Sequence, residues 1–198
     1  MNEFIGTSPW VAITKDVARK RRGPVVAAIS YVGAKASEVL PLRKGDFLIC
    51  DASQRAIKQG VTSAKTLAAY LRKGVQIFSH EGLHSKVVAT ENFAWVGSAN
   101  ASGNSRDNLT EASVRIEGPV GRSSFKWALS LATEDAKLSL EAKHFATDEC
   151  VDLSEHCELE ASKSSIVRNA IIEHKSLLNE LCEGRGSCNR STLDMVFK

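Results

Sequence analysis

Residues 83–116 read LHSKVVATENFAWVGSANASGNSRDNLTEASVRI, and this stretch decides the fold. His84 and Lys86 stand two positions apart in a segment that continues with small apolar residues. Both side chains are therefore expected on the same side of a β-strand. A second short strand is predicted over residues 93–96, and a Gly-Ser-x-Asn turn follows it at positions 97–100. A third strand is predicted over residues 111–116.

The polar residues of this stretch supply complementary chemical groups. His84 offers a nucleophile or base, and Lys86 offers a fixed cation. Ser98 and Asn100 offer neutral hydrogen-bond donors, and Glu111 offers a carboxylate. These groups suffice for attack on a phosphate diester and for stabilising the charge that develops, without a metal ion or other cofactor.

The spacing resembles the signature of the phospholipase D superfamily, which is His-x-Lys-x4-Asp-x(5–6)-Gly-Ser-x-Asn with an acidic residue about a dozen positions later. The positions that match are His84, Lys86, Gly97, Ser98, Asn100 and Glu111. The Asp of the signature, which usually plays a structural part, is replaced here by Glu91. The resemblance implies an α/β fold, a layered α/β/α sandwich around a mixed β-sheet.

Members of this superfamily need two His-x-Lys motifs in each active site, and this chain has one. The resemblance therefore implies a homodimer whose site lies at the two-fold interface. It also implies a phosphohistidine intermediate: one His84 attacks phosphorus while the partner's His84 protonates the leaving oxygen. Lys86 and Asn100 would hold the non-bridging oxygens, Ser98 would orient them, and Glu111 would accept a hydrogen bond from His84.

The substrate that the resemblance favours is nucleic acid, and DNA rather than RNA. A single-motif chain of this length resembles small bacterial nucleases and the catalytic half of a metal-independent restriction endonuclease. Because no recognition module is visible, sequence specificity would require a separate DNA-recognition domain or partner subunit. The alternatives are a phospholipid hydrolase or transferase of the phospholipase D type, and a non-catalytic DNA-binding module on the same fold.

Length and composition are those of a globular protein. The chain has 198 residues, 43% hydrophobic and 25% charged, and no run approaches the roughly 20 apolar residues that span a bilayer. The N-terminal sequence lacks the basic-then-apolar order of a signal peptide. We therefore expect a cytoplasmic protein that has no membrane partner.

The net charge is only +3 and the pI about 8.6, but the positive charge is locally concentrated. The cluster Arg19, Lys20, Arg21, Arg22 is predicted to bind nucleic acid, and basic pairs stand at positions 43–44 and 72–73. Such a cluster can equally be the solvated end of a helix, where cations suit the dipole. A phosphate-binding surface is the other interpretation.

Two metal hypotheses compete with this interpretation. Residues 80–84 match the H-E-x-x-H zinc pattern, but that pattern needs a helix, and Gly82 lies here between β-rich segments. His80 is instead predicted to be a loop residue near the site. Four of the five cysteines lie beyond residue 149 with looser spacing than paired zinc ligands have. Cys50 and Trp95 are predicted to lie in the core, and no metal site is predicted.

Periodicity predicts alternating strands and helices, typical of a layered α/β fold. Helices are predicted over residues 9–22, 62–73 and 124–144, and strands over 25–32, 46–51, 75–78 and 84–90, besides those at 93–96 and 111–116. We expect a catalytic core over residues 1–149. Residues 150–198, with an apolar stripe from 166 to 181, are expected to form a helical segment packed on the core or in a dimer interface.

Overall fold

A computed structural model describes residues 2–19 and 23–139. Its centre is a seven-stranded mixed sheet with the strand order β1-β7-β6-β5-β2-β3-β4. The parallel strands β2, β3 and β4 lie at one end, and β5, β6 and β7 continue the sheet in antiparallel pairs. The strands are β1 (Glu3–Thr7), β2 (Val26–Ile29), β3 (Phe47–Cys50), β4 (Gln76–Ser79), β5 (Lys86–Ala89), β6 (Phe93–Gly97) and β7 (Glu111–Glu117).

Helices cover both faces of this sheet. Within the described residues they are α1 (Trp10–Ala18), α2 (Ala36–Val39), α3 (Gln54–Lys58), α4 (Ala64–Arg72), α5 (Gly103–Asp107) and α6 (Gly118–Ser130), with a 3₁₀ turn at Glu134–Ala136. Residues of α1, α2 and α4 share one hydrophobic cluster with one face of the sheet. Phe125 and Ala128 of α6 pack on the other face. The predicted α/β/α sandwich with a mixed sheet is confirmed.

The order of the predicted strands is confirmed, with ends that shift by a few residues. All four residues of β2 are buried, as expected of a continuous apolar strand covered on both faces. Ser63 caps α4, within the range predicted for this helix, by accepting a hydrogen bond from the N–H of Thr66. Cys50 and Trp95 lie in the core, also as predicted.

Both bounds predicted for the helix over residues 124–144 are wrong. It begins at Gly118 because Pro119 occupies the first turn, where the missing N–H of proline carries no penalty. It ends at Ser130, and Lys137 then forms a bridge with Phe78 of β4. The strand β1 was not predicted; it is a short edge strand whose Phe4 is 70% exposed.

Several predictions fall outside the described residues and stay predictions. They concern Lys20, Arg21 and Arg22, the helical segment over 150–198 with its stripe at 166–181, and the cysteines beyond residue 149. Among the described residues, no helix has the length and apolar character needed to span a bilayer.

Candidate active site

Strand register brings the motif residues together where the central strands begin or end. This end of the strands is called here the site edge, and the other end the distal edge. Lys86 pairs with Ile29, the last residue of β2, and Val87 pairs with Val96, one residue before the end of β6. Glu111, the first residue of β7, pairs with the last residue of β1. The C-terminal ends of the parallel strands and the Gly-Ser-x-Asn turn therefore meet at the same edge.

The His-Ser-Lys triplet is fastened to β2 through its middle residue. The N–H of Ser30 donates to the carbonyl of Ser85 at 2.9 Å, and the Ser85 hydroxyl donates to the carbonyl of Ala28 at 2.9 Å. The pairing of β5 with β2 is thus extended by one residue. His84 is exposed just beyond it, and its imidazole makes no hydrogen bond to another described residue.

Lys86 is held in place and partly removed from water. Its Nζ donates to Ser30 Oγ at 3.0 Å and to the carbonyl of His84 at 3.1 Å. Burial lowers the pKa of Lys86, and the negative charge of Glu111 opposes that shift. The ammonium group and the carboxylate are therefore close enough to interact electrostatically, although they form no direct salt bridge.

The Gly-Ser-x-Asn segment needs a glycine at its start. A Cβ on Gly97 would overlap Ser113 Oγ and the carbonyl of Ala112, and would lie 2.7 Å from Ser113 Cα. Beyond Gly97, the N–H of Ala101 donates to the carbonyl of Tyr31 at 3.2 Å, which ties the segment to the loop after β2. The loops that follow β2 and β6 are thus bound together around the site.

Glu111 is 7% exposed and forms the centre of a hydrogen-bond network. Ser98 Oγ donates to one carboxylate oxygen, and Ser105 Oγ donates to the other at 2.7 Å. Ser105 Oγ in turn accepts a hydrogen bond from the indole Nε1 of Trp10 at 3.3 Å. Ser98 Oγ also accepts from the N–H of Ala112 at 3.1 Å. Both oxygens of Glu111 are therefore fixed by hydroxyl groups.

The structure differs here from what the family resemblance implied. Within the described residues, no hydrogen bond joins His84 to Glu111. The two serine hydroxyls occupy the carboxylate instead, so Glu111 orients Ser98 directly.

Asn100 carries an unsatisfied polar atom. Its Oδ1 is buried and accepts no hydrogen bond from any residue that the structure describes. A buried acceptor without a donor costs roughly 1–3 kcal/mol, so such atoms are few in folded proteins. Asn100 thus stands at the site edge with hydrogen-bonding capacity that the fold itself does not use.

The loop before His84 is a turn, which the H-E-x-x-H pattern cannot tolerate. Gly82 has a φ of +77°, a left-handed conformation that ends any helical continuation between His80 and His84. The N–H of Gly82 donates to Asp51 Oδ2 at 3.2 Å. Burial alone would raise the pKa of Asp51, but hydrogen bonds from Ser53 and Gly82 lower it overall. His80 is exposed in this loop, as predicted.

The remaining predicted residues lie away from the site edge. Glu91 is exposed in the turn between β5 and β6, at the opposite edge of the sheet, where the hydroxyl of Thr90 accepts from the N–H groups of Asn92 and Phe93. The longer acid therefore does not disturb the site. Arg19 lies at the end of α1, and Asp16, one turn before it, contacts Trp95 of β6 and Arg115 of β7.

The sequence did not single out Ser30, Asp51, Ser105 or Trp10 for the site. Ser30 and Asp51 each follow a buried parallel strand directly, a position that often carries functional residues. That signal could have found both. Trp10 and Ser105 are 95 positions apart, and no local pattern connects them.

Comparison with known structures identifies the fold. The structure is similar to that of Nuc from Salmonella typhimurium, described as a phospholipase D family member, with a TM-score of 0.51 and 13% identity, covering 70% of this chain and 97% of that one. NucT from Helicobacter pylori gives a TM-score of 0.51 and 15% identity, covering 70% and 98%. No known protein family and no curated protein matches the sequence itself. The chain has the phospholipase D fold, as the motif resemblance predicted.

Proposed function

We propose that this protein is a metal-independent phosphodiesterase, and that it is an endonuclease acting on DNA. The observation that carries the proposal is the convergence of His84, Lys86, Ser98, Asn100 and Glu111 on one edge of a phospholipase D-like sheet. A nucleophile, a partly buried cation, neutral donors and a fixed carboxylate are the parts that diester hydrolysis requires.

The reaction proceeds in two displacement steps. An imidazole nitrogen of His84 attacks phosphorus, an N–P bond forms, and the P–O bond to the leaving group breaks as the His84 of a second copy donates a proton to that oxygen. The same second His84 then takes a proton from water. The water oxygen attacks phosphorus, the N–P bond breaks, and His84 returns to its neutral form.

Lys86 and Asn100 stabilise the charge on the non-bridging oxygens. Lys86 is held by Ser30 and by the backbone of His84, so little reorganisation is needed when the phosphate arrives. The Nδ2 group of Asn100 would donate hydrogen bonds to the same oxygens. Preorganised donors of this kind typically contribute about 3–4 kcal/mol each to transition-state stabilisation.

Glu111 acts as a positioning residue. It fixes the hydroxyl of Ser98 next to the phosphate site, and its charge opposes the lowering of the Lys86 pKa by burial. Ser105 and Trp10 extend this support into the core. Both are almost fully buried, which makes them rigid supports.

The active unit is a homodimer with a shared site. The described residues hold a single His-x-Lys pair, and the imidazole of the exposed His84 makes no hydrogen bond to any of them. A second copy related by two-fold symmetry would supply the general acid. Isologous dimers are the commonest closed assemblies.

DNA is the proposed substrate because the site edge offers cations that can follow a phosphate backbone. Arg55 and Lys58 are exposed on α3, directly after β3, and Lys35 lies after β2. Within the described residues, none of the three forms a salt bridge. Phosphate contacts of this kind give affinity without base specificity.

The test is cleavage of plasmid DNA and of bis-p-nitrophenyl phosphate in millimolar EDTA. Wild type and His80→Ala should be active, whereas His84→Ala should lose at least about 10⁴-fold. His80→Ala is the matched control, since it removes an exposed imidazole from the same loop. An alkaline quench of wild type with labelled diester should retain label on the protein, because phosphohistidine is acid-labile.

Three outcomes would contradict the proposal. Equal activity of His84→Ala and wild type would show that His84 is not the nucleophile. Strict dependence on added metal would contradict the metal-independent mechanism. Hydrolysis of phosphatidylcholine vesicles with intact plasmid would make the protein a phospholipid hydrolase.

A further inference from the structure

Two basic pairs that are far apart in sequence come together at the edge opposite the site. The pair 43–44 precedes β3, and the pair 72–73 ends α4. Since β3 and β4 are parallel, the segments that enter them both lie at their shared N-terminal edge. This group of described cations (Arg43, Lys44, Arg72, Lys73) is called the distal basic surface.

Backbone hydrogen bonds join the loops that carry these cations. The N–H of Gly45 donates to the carbonyl of Gly74 at 3.0 Å, and the N–H of Gln76 donates to the carbonyl of Asp46 at 2.9 Å. Gly45 and Gly74 have φ values of +86° and +82°. Both loops therefore contain a left-handed backbone conformation, which glycine adopts without steric cost. A depression beside them is lined by Gly23, Pro24, Arg43, Lys44, Gly45 and Asp46. Gly23 and Pro24, which precede β2, therefore border the same surface.

The charge of this surface is directed to solvent. Lys44, Arg72 and Lys73 are exposed, and none forms a salt bridge with another described residue. Asp46, by contrast, is 1% exposed. Its oxygens accept from the N–H groups of residues 25 and 43 at 2.9 and 2.8 Å.

Helix-dipole stabilisation explains only part of this arrangement. Cations at the end of α4 suit the negative helix terminus. Lys44 lies in the loop before β3, five residues beyond the end of α2 at Val39, so no helix dipole accounts for its position. The convergence of the two pairs therefore points to a common ligand.

We propose that the distal basic surface binds the phosphate backbone of nucleic acid, outside the catalytic site. The proposal rests on the proposed function only for the choice of nucleic acid as the polyanion. A four-residue strand separates the two edges by about 13 Å, before the loops are counted. A phosphate bound at the distal surface is therefore a different phosphate from the one cleaved. Holding one part of a long substrate raises its effective concentration at the site.

The experiment compares two doubly neutralised variants in the His84→Ala background, where DNA stays intact. Lys44→Gln/Arg72→Gln removes one lysine and one arginine from the distal surface. Arg122→Gln/Lys126→Gln removes the same charges from the exposed side of α6. Fluorescence anisotropy of a labelled duplex is measured from 50 to 300 mM salt, with EDTA. The log–log slope should become shallower by up to about 1.8 in the first variant, at about 0.9 for each phosphate that the protein no longer neutralises.

The control variant should keep the parental slope. Lys44→Arg/Arg72→Lys should also keep it, which separates a loss of charge from a folding defect, and melting curves of all variants are compared. Equal slopes for both neutralised variants would overturn the proposal, as would binding of the parent to phosphatidylserine vesicles but not to DNA. Hydrolysis of bis-p-nitrophenyl phosphate by the wild-type chain is measured separately. If the wild-type chain does not hydrolyse this diester, the catalytic proposal is refuted. The salt dependence of DNA binding still tests the distal basic surface separately.

Discussion

The two edges of the sheet both carry positive charge, but they hold it in different ways. At the site edge, Lys86 is partly buried and donates two hydrogen bonds, and the carboxylate of Glu111 acts on its charge. At the distal edge, Lys44 and Lys73 are exposed and form no salt bridge with other described residues. Transition-state stabilisation needs charge in a fixed position, whereas binding a phosphate backbone needs only charge. This contrast matches the two proposals, which place catalysis at the site edge and phosphate-backbone binding at the distal edge.

The strongest test of this contrast is removal of the fixed cation. Lys86→Met should lower kcat on bis-p-nitrophenyl phosphate by about 10²–10³-fold, because one preorganised donor is removed. Lys126→Met removes an exposed lysine from α6 and should leave kcat unchanged. Steady-state kinetics at neutral pH measures both variants. A loss of less than threefold in Lys86→Met would show that the position of this cation does not matter.

The backbone at the site edge should tolerate change less well than the backbone at the distal edge. Gly97→Ala forces a methyl group against Ser113 and Ala112, and such overpacking costs about 1–3 kcal/mol in the free energy of unfolding. A Cβ on Gly23, at the distal edge, would meet nothing within 4 Å. Gly23→Ala is therefore the matched control. Urea denaturation compares the two, and equal midpoints would mean that β6 and β7 can separate freely.

Removing the hydrogen bond from Ser105 to Glu111 should lower kcat less than removing the Lys86 cation does. Ser105→Ala removes one hydrogen bond to a carboxylate, worth about 1.5–3 kcal/mol when the acceptor is charged. We expect kcat to fall about tenfold with little change in KM, since Glu111 acts through Ser98 and Lys86. Ser105→Thr, which keeps the hydroxyl, should recover part of the rate.

Ser123→Ala, an exposed serine on α6, is the control for this substitution. If Ser105→Ala changed only the melting temperature and left kcat intact, Ser105 would be a purely structural residue.

The sequence predicted the parts of the molecule in which neighbouring residues act together. The pleat places His84 and Lys86 on one side, and Gly97 to Asn100 form a local turn, so both could be recognised within a few residues. Interactions over long separations left no such trace: Trp10 reaches Ser105 across 95 positions. The start of α6 was misjudged for a different reason, since Pro119 can end one element or begin the next.

The distal surface shows the same limit. Each basic pair is visible in the sequence, but their meeting depends on strand order, which brings β2, β3 and β4 side by side. The contact that fixes the loop before His84 also depends on strand order. Asp51 reaches the loop at Gly82 because β3 and β4 are neighbours.

The smallest predicted effect concerns pH, and it follows from the partial burial of Lys86. Burial lowers the pKa of this lysine from its ordinary value of 10.5, with Glu111 opposing the shift. Because the cation is needed, kcat should fall as the pH rises through that lowered pKa, and so below pH 10.5. Lys86→Arg should have a flat profile over the same range, since arginine keeps its charge.

The two profiles are measured from pH 7 to 11 on bis-p-nitrophenyl phosphate, with circular dichroism at each pH to establish that the fold persists. The shape of each profile matters here, not the absolute rate, because the guanidinium cannot reproduce the contacts that the ammonium makes with Ser30. A decline of the same form in both proteins would assign the titration to another group and would leave Lys86 an ordinary lysine, no different in kind from those at the distal edge.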